Sequence, residues 1–177
     1  MASSAKAPVL VGVDGSDSSL GALRYATRLA TALGAPLRVV TTWEYPPLVD
    51  VMSSAEWSPE ADAAMILESS LNTVFAGEPP EDMTTAVLPG PASPALIDES
   101  GGAEMLVLGN RGRGGFASLL LGSVSSACVT HAHCPVVVVH RTSGGPPTGS
   151  GAISRCRRAP VPPRTPPPGC GGPGPVC

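Results

Sequence analysis

Met105-Leu106-Val107-Leu108-Gly109-Asn110-Arg111-Gly112 decides the fold. Its first four residues are continuously apolar, the pattern of a strand buried on both faces, and such strands belong to parallel sheets covered by helices on either side. Gly109 ends the run, and a glycine-rich stretch leads on toward a helix.

On either side of this stretch, strands and helices alternate. Upstream, Pro8 to Val13 is a short apolar run closed by Asp14-Gly15-Ser16. Leu20, Leu23, Ala26, Ala30 and Leu33 then recur at helical spacing until Gly34. Leu37 to Thr42 reads as a second strand, followed by a loop from Tyr45 to about Trp57, longer than most connections. Ser58-Pro59-Glu60 is a helix start, with a hydroxyl at the cap and Pro at the first helical position. Ala64, Leu67, Leu71, Val74 and Phe75 supply that helix's apolar face. Thr84 to Leu88 is a third strand and Pro91 to Ser100 a short helix closed by Gly101-Gly102. Downstream of the fourth strand, Leu119 to His131 reads as a helix and Pro135 to His140 as a fifth strand.

Five such alternations predict an α/β fold, a doubly wound five-stranded parallel sheet with helices on both faces. Topology rules give the order 3-2-1-4-5, which makes the first and fourth strands neighbours. Ligands of such sheets bind outside the carboxyl ends of the strands, where the order reverses. Asp14 to Ser16 and Gly109 to Gly115 are the two loops that fall at that mouth.

The body, residues 1–143, carries 7 basic and 14 acidic side chains; residues 144–177 carry four Arg and no acid. More than half of that second segment is Gly or Pro, too little apolar surface to offset its ordering entropy, so it is expected to be a disordered tail. A net charge of −3 gives no sign of nucleic-acid binding. The start of the chain has no apolar stretch long enough for a signal peptide, and the longest apolar runs are strand-sized. The expectation is a cytoplasmic protein without membrane association. Five cysteines without a CxxC pair support neither a zinc ribbon nor a thioredoxin site. His131, His133 and Cys134 lie near a helix end with no neighbouring carboxylate and are not read as metal ligands. Aromatics are 3% of the chain, so the core must be aliphatic.

The most informative stretch runs from Gly109 to Ser125, GNRGRGGFASLLLGSVS. Gly109 and Gly112 are expected to allow turns and positive φ, and to let the backbone approach a ligand. Around Gly122-Ser123, successive N–H groups with a helix dipole behind them would suit phosphate. The spacing is G-x-x-G-x9-G-S. Together with Val11-Gly12-Val13-Asp14-Gly15-Ser16 and His133-Cys134-Pro135-Val136-Val137-Val138-Val139, it resembles the universal stress protein family over about residues 8–140, in the branch that binds ATP.

The resemblance implies an adenine nucleotide α-hydrolase-like fold and a set of site residues. Asp14 would face the ribose, with Val13 beside it among the cofactor-binding residues. Thr42 would meet adenine through its backbone, and Leu108 and Gly109 would line the adenosine side. Gly112 and Arg113 would contact phosphates by main chain, with Gly122, Ser123, Val124 and Ser125 completing the cradle. Mg2+ or Mn2+ would arrive with the phosphates. A homodimer joined through the 135–140 strand is implied as well, covering an otherwise open sheet edge. The function implied is regulatory ATP binding in a stress response.

Other readings fit less well. Asp14 has the chemistry of a helix cap, and Ser16, Asp17 and Ser18 are read as capping residues. Gly112-Arg113-Gly114-x-x-Ala117 imitates a dinucleotide fingerprint, but the next strand closes on His140-Arg141 instead of an acid. Val13-Asp14-Gly15-Ser16-Asp17-Ser18 lacks the first Ser and Gly of an ATP pyrophosphatase loop. No nucleophile is paired with a base, so the chemistry allows slow ATP hydrolysis at most. The alternative is an interaction module that dimerises without nucleotide.

Overall fold

A computed structural model describes residues 6–45, 58–113 and 120–140. The predicted Tyr45–Trp57 loop beyond Tyr45 and the tail at 144–177 lie outside the described residues. Five strands form one sheet: β1 (Val9–Gly12), β2 (Leu37–Trp43), β3 (Met83–Pro89), β4 (Met105–Gly109) and β5 (Val136–Val139). Four helices connect them: α1 (Asp17–Leu33), α2 (Pro59–Phe75), α3 (Ala92–Glu99) and α4 (Ser123–His131). All strand pairs are parallel and the order is β3-β2-β1-β4-β5, as expected.

The alternation of strand side chains builds two cores. Val9, Val11, Val13, Val39 and Val107 face α1 and α2; Leu10, Val40, Leu106 and Leu108 face α3 and α4. Both faces of β1 and β4 are therefore apolar, which is why Met105 to Leu108 reads as an unbroken run. Burying each Val or Leu contributes about 1.5–3 kcal/mol, enough for an aliphatic core to form without aromatic help.

α1 begins at Ser16, whose hydroxyl accepts the Ser19 N–H at 3.2 Å, and ends at Gly34 in the left-handed region (φ 57°). Its buried stripe is Ala22, Leu23, Ala26 and Ala30; Leu33, expected in that stripe, is exposed at the last turn. The small side chains bring α1 close to β1 and β4. Ser58 caps α2, accepting the Ala61 N–H at 3.3 Å. There Ala63, not Ala64, is buried with Leu67, because the stripe turns toward the sheet one residue earlier than the spacing suggested. On the other face, Arg38 Nε of β2 donates to Glu99 Oε2 at 2.7 Å and pins the end of α3.

α4 corrects the sequence reading more substantially. The helix starts at Ser123 and not at Leu119, because Gly122 is extended (φ −74°, ψ 166°). Leu120, counted on as helical, is 82% exposed. The apolar Leu119-Leu120-Leu121 run imitates a helix face, but the backbone turns into the helix only after Gly122.

α1 and the sheet pack closely where α1 crosses the end of β4. A Cβ on Gly109 would stand 2.5 Å from Ser18 Oγ and 2.7 Å from the Ser18 carbonyl carbon. Backbone cannot yield as a side chain can. Gly109→Ala should destabilise the protein by about 1–3 kcal/mol through overpacking, read as a lower urea midpoint with unchanged slope.

Candidate functional site

The chain runs from β1 out to β2 and β3, then returns to place β4 on β1's other side. Helices leave in opposite directions from β1 and β4, opening a crevice at their carboxyl ends. The Val13 N–H reaches Val40 O at 2.9 Å, continuing the sheet one residue past β1. Asp14 follows, then Gly15 at φ 78°.

Asp14 ties the two loops of the mouth together. Its Oδ1 accepts from the Ser16 N–H at 3.0 Å and the Ser16 hydroxyl at 2.6 Å. Its Oδ2 accepts from the Arg113 N–H at 3.1 Å. A Cβ on Gly112 would lie 2.6 Å from that same oxygen. Neither Gly109 nor Gly112 has positive φ; the expectation of positive φ at these two glycines is corrected. Their missing side chains make room for Ser18 and for Asp14, two groups of the protein itself. Burial acts to raise the Asp14 pKa. Hydrogen bonds from the Ser16 side chain and backbone, from Ser19 and from the Arg113 backbone outweigh it and hold the carboxyl below its ordinary value.

The far side of the mouth is set by Asn110 and α4. Asn110 is buried, its N–H donates to Val139 O at 2.9 Å, and its carbonyl accepts the Gly122 N–H at 2.8 Å. The Ser126 N–H finds its acceptor at Gly122 O, 2.9 Å away, and no side chain caps α4. The N–H groups of Ser123, Val124 and Ser125 thus precede the first intrahelical bond, at the positive end of the helix dipole. The Ser125 hydroxyl is turned inward, donating to Gly109 O at 2.7 Å, so only its N–H faces the opening. Ser18 is likewise not a cap: its hydroxyl donates to Asn110 Oδ1 at 2.9 Å. Ser16 alone caps α1.

These elements enclose a cavity of about 620 Å³, within the range of small-molecule sites. Val13, Asp14, Thr42, Leu108, Gly109, Gly112, Arg113, Gly122, Ser123, Val124 and Ser125 all line it. One end is polar, with Asp14, the glycine loop and the start of α4. The other is apolar, walled by Val40, Leu96 and Leu108. Thr42 closes that end. Trp43 O accepts from Gly90 on the β3 side and Val40 O from Val13 on the β1 side, so alternation turns the backbone groups of Thr42 toward the crevice, past the end of β1. β2 runs one residue longer than expected, to Trp43.

Leu96, Ala92 and Ile66 also line the cavity and were not singled out in the sequence. They come from α3 and α2, and only the crossover geometry brings them to the mouth. Asn110 had a signal of its own, a polar residue directly after a buried strand, but its four-way bonding needs the folded loop to be seen. Phe116, within the glycine stretch, lies outside the described residues. Among the described residues, no helix is long and apolar enough to cross a membrane.

The universal stress protein family model matches residues 7–140. Universal stress protein Rv2623 of Mycobacterium tuberculosis is 34% identical over 145 residues, covering 75% of this chain and 47% of that protein. A universal stress protein of Mycolicibacterium smegmatis is 34% identical over 142 residues, with 75% and 47% covered. The chain spans about half the length of the curated relatives it matches. Among solved structures, a universal stress protein in complex with cAMP is 30% identical, with a TM-score of 0.58 over 77% of this chain and 99% of that one. UspA from Lactobacillus plantarum, 23% identical with a TM-score of 0.55 over 75% of this chain and 97% of its own, shares the fold. A doubly wound sheet with a glycine loop at its switch point, matched to this family over nearly all its described length, has one classification: the chain belongs to the universal stress protein family. Its fold is the adenine nucleotide α-hydrolase-like one.

The Asp14 bonds carry a pH signature. A carboxyl whose folded pKa is depressed adds stability that is fully present above its unfolded value, near 3.8, and is lost as pH falls through the folded value. Asp14→Asn should therefore be less stable than wild type at neutral pH, with the gap closing below about pH 4. Urea unfolding of both proteins from pH 7 down to pH 3 checks this.

Proposed function

We propose that this protein is an ATP-binding regulatory member of its family, of the G-x-x-G-x9-G-S branch, acting in the cytoplasm in a stress response. The observation that carries the reading is the start of α4: among the described residues no side chain caps its first three N–H groups, whose residues line a cavity with an apolar far end. A ligand with an anionic end and a flat apolar end fits that polarity. The neighbour solved with cAMP supports a nucleotide in a fold of this kind.

In this reading adenine lies between Leu96, Leu108 and the backbone of Thr42, with Asp14 and Val13 at the ribose. Gly109 lines the adenosine side. Phosphates meet the main chain of Gly112 and Arg113 and the N–H groups of Ser123, Val124 and Ser125, beside Gly122. Because the Arg113 N–H is held by Asp14 in this structure, bound ATP exchanges that bond for its own contacts. Each dipolar contact is worth about 0.3–1 kcal/mol and micromolar affinity needs about 8 kcal/mol, so the adenine end must supply much of the binding. Mg2+ or Mn2+ is anchored by the triphosphate. Among the described residues no three His, Cys, Asp or Glu side chains cluster to hold an ion unaided.

Gly122 is the discriminating position. It has ordinary φ, and a Cβ there would meet only normal contacts, the nearest at 3.6 Å on Arg111. Unlike Gly109 and Gly112, the protein's own packing does not require it to be glycine. Mg-ATP at 100 times its dissociation constant should stabilise the full-length chain by about 2.7 kcal/mol, a shift of several degrees in melting temperature. Gly122→Ala should stay folded, with a small loss from the poorer helix cap, and lose most of that shift. A folded wild type with no response to ATP would favour the interaction module instead.

Pairing through β5 is the second part of the proposal. β5 is an edge strand, and no described strand pairs with its outer side. Pro135 O and Val139 O accept from β4 and its extension, so alternation directs the backbone of Val138 outward. Antiparallel pairing with a second copy would use it. Val138→Pro removes that outward donor and spares the bonds to β4. Wild type should scatter light as a dimer and the variant as a monomer; two monomers would rule this interface out.

A further inference from the structure

Nine residues separate Gly112 from Gly122, a span too long to fix the position of the α4 terminus through its own covalent geometry. Among the described residues, bonds across the neck of the loop hold that register, and they converge on one residue. Asn110 uses every polar group it has. Its N–H holds Val139 O of β5 at 2.9 Å and its carbonyl holds the returning chain at Gly122, 2.8 Å away. Oδ1 accepts from Ser18 Oγ of α1 at 2.9 Å, and Nδ2 leans toward Leu120 O at 3.4 Å. Ser18 Oγ in turn receives the Arg111 N–H at 3.4 Å. Asn110 is 4% exposed and Ser18 6%, and neither lines the cavity.

We infer that Asn110 is the positioning residue of the phosphate cradle: anchored on Ser18, it orients its own carbonyl to hold Gly122, and so aims the first N–H groups of α4 into the cavity. This deepens the ATP reading and rests on it. The residue type follows from the geometry. Ala or Ser is too short to reach Ser18 from the end of β4. Asp would keep the acceptor for Ser18 but lose the donor toward Leu120 and bury a charge, which is costly without a partner. With the side chain gone, the peptide between Asn110 and Arg111 keeps only the long 3.4 Å bond from the Arg111 N–H to Ser18 Oγ and is followed at once by Gly112. The carbonyl that holds Gly122 is then held less firmly.

A residue that acts by aiming phosphate donors should affect phosphates and leave the base alone. The experiment compares Mg-ATP with adenosine by calorimetry on full-length wild type, Asn110→Ala and Ser18→Ala. Amide exchange at Gly122 to Ser126 is followed in the same proteins. Losing the Asn110–Ser18 bond should weaken ATP by about tenfold in Asn110→Ala, and at least as much in Ser18→Ala, which also removes the acceptor of the Arg111 N–H; adenosine should change little in either. The double variant should lose less than the two singles added together, since the Asn110–Ser18 bond can be lost only once. Exchange at the start of α4 should rise relative to α2. Equal losses for ATP and adenosine would show a general structural defect and overturn the inference. So would unchanged ATP affinity with unchanged exchange. If Asn110→Ala does not fold, Ser18→Ala breaks the same anchor from the other side and decides alone. A wild type that binds neither ligand defeats the ATP reading, and the exchange arm still judges the clasp.

Discussion

At the end of β4 the backbone of Ser18 passes so close to Gly109 that no other residue fits between them. This approach fixes how far α1 can settle onto the sheet. It brings the Ser18 hydroxyl within reach of Asn110, and Asn110 then holds Gly122 and the start of α4. On the opposite side, Asp14 can reach the Arg113 N–H because α1 starts where it does. The mouth of the cavity is thus a chain of short contacts hung from one packing constraint.

The glycines of the loop divide their work in a way their spacing conceals. Gly109 makes room for a helix and Gly112 for a carboxylate; both are demanded by the protein's own atoms. Of the three motif glycines, Gly122 is the one left open by its surroundings. A motif that reads as one functional unit is two packing requirements followed by one position with space to spare. This explains why expected positive φ was absent where it had been assigned, and present at Gly15 instead.

Much of this was legible in the sequence because the decisive elements are local. Unbroken apolar runs at Val9 to Val11 and Met105 to Leu108 announce doubly covered strands, and Ser16, Gly34 and Ser58 mark helix ends by chemistry of one or two residues. The strand order came from general handedness rules. The residues of the candidate site that spacing and resemblance singled out all reached one cavity. What stayed hidden depends on contacts between distant segments. Ser18 looked like a cap until Asn110, 92 residues away, was seen to take its hydroxyl. Leu120 looked helical because apolar spacing reports what a residue could bury, whereas Gly122 decided where the helix begins. Leu96 had no signal at all beyond belonging to a short helix.

The scarcity of aromatic residues has an optical consequence. The chain holds two Trp and two Tyr, and one pair, Trp43 and Tyr45, stacks edge to face with ring centroids 5.4 Å apart. Trp43 closes the strand whose preceding residue, Thr42, lines the cavity. The molecule therefore carries a native fluorophore one residue from the apolar end of its crevice, against an almost colourless aliphatic core. With Trp57 replaced by Phe, the remaining tryptophan emission would report on the surroundings of that strand end without any label being attached.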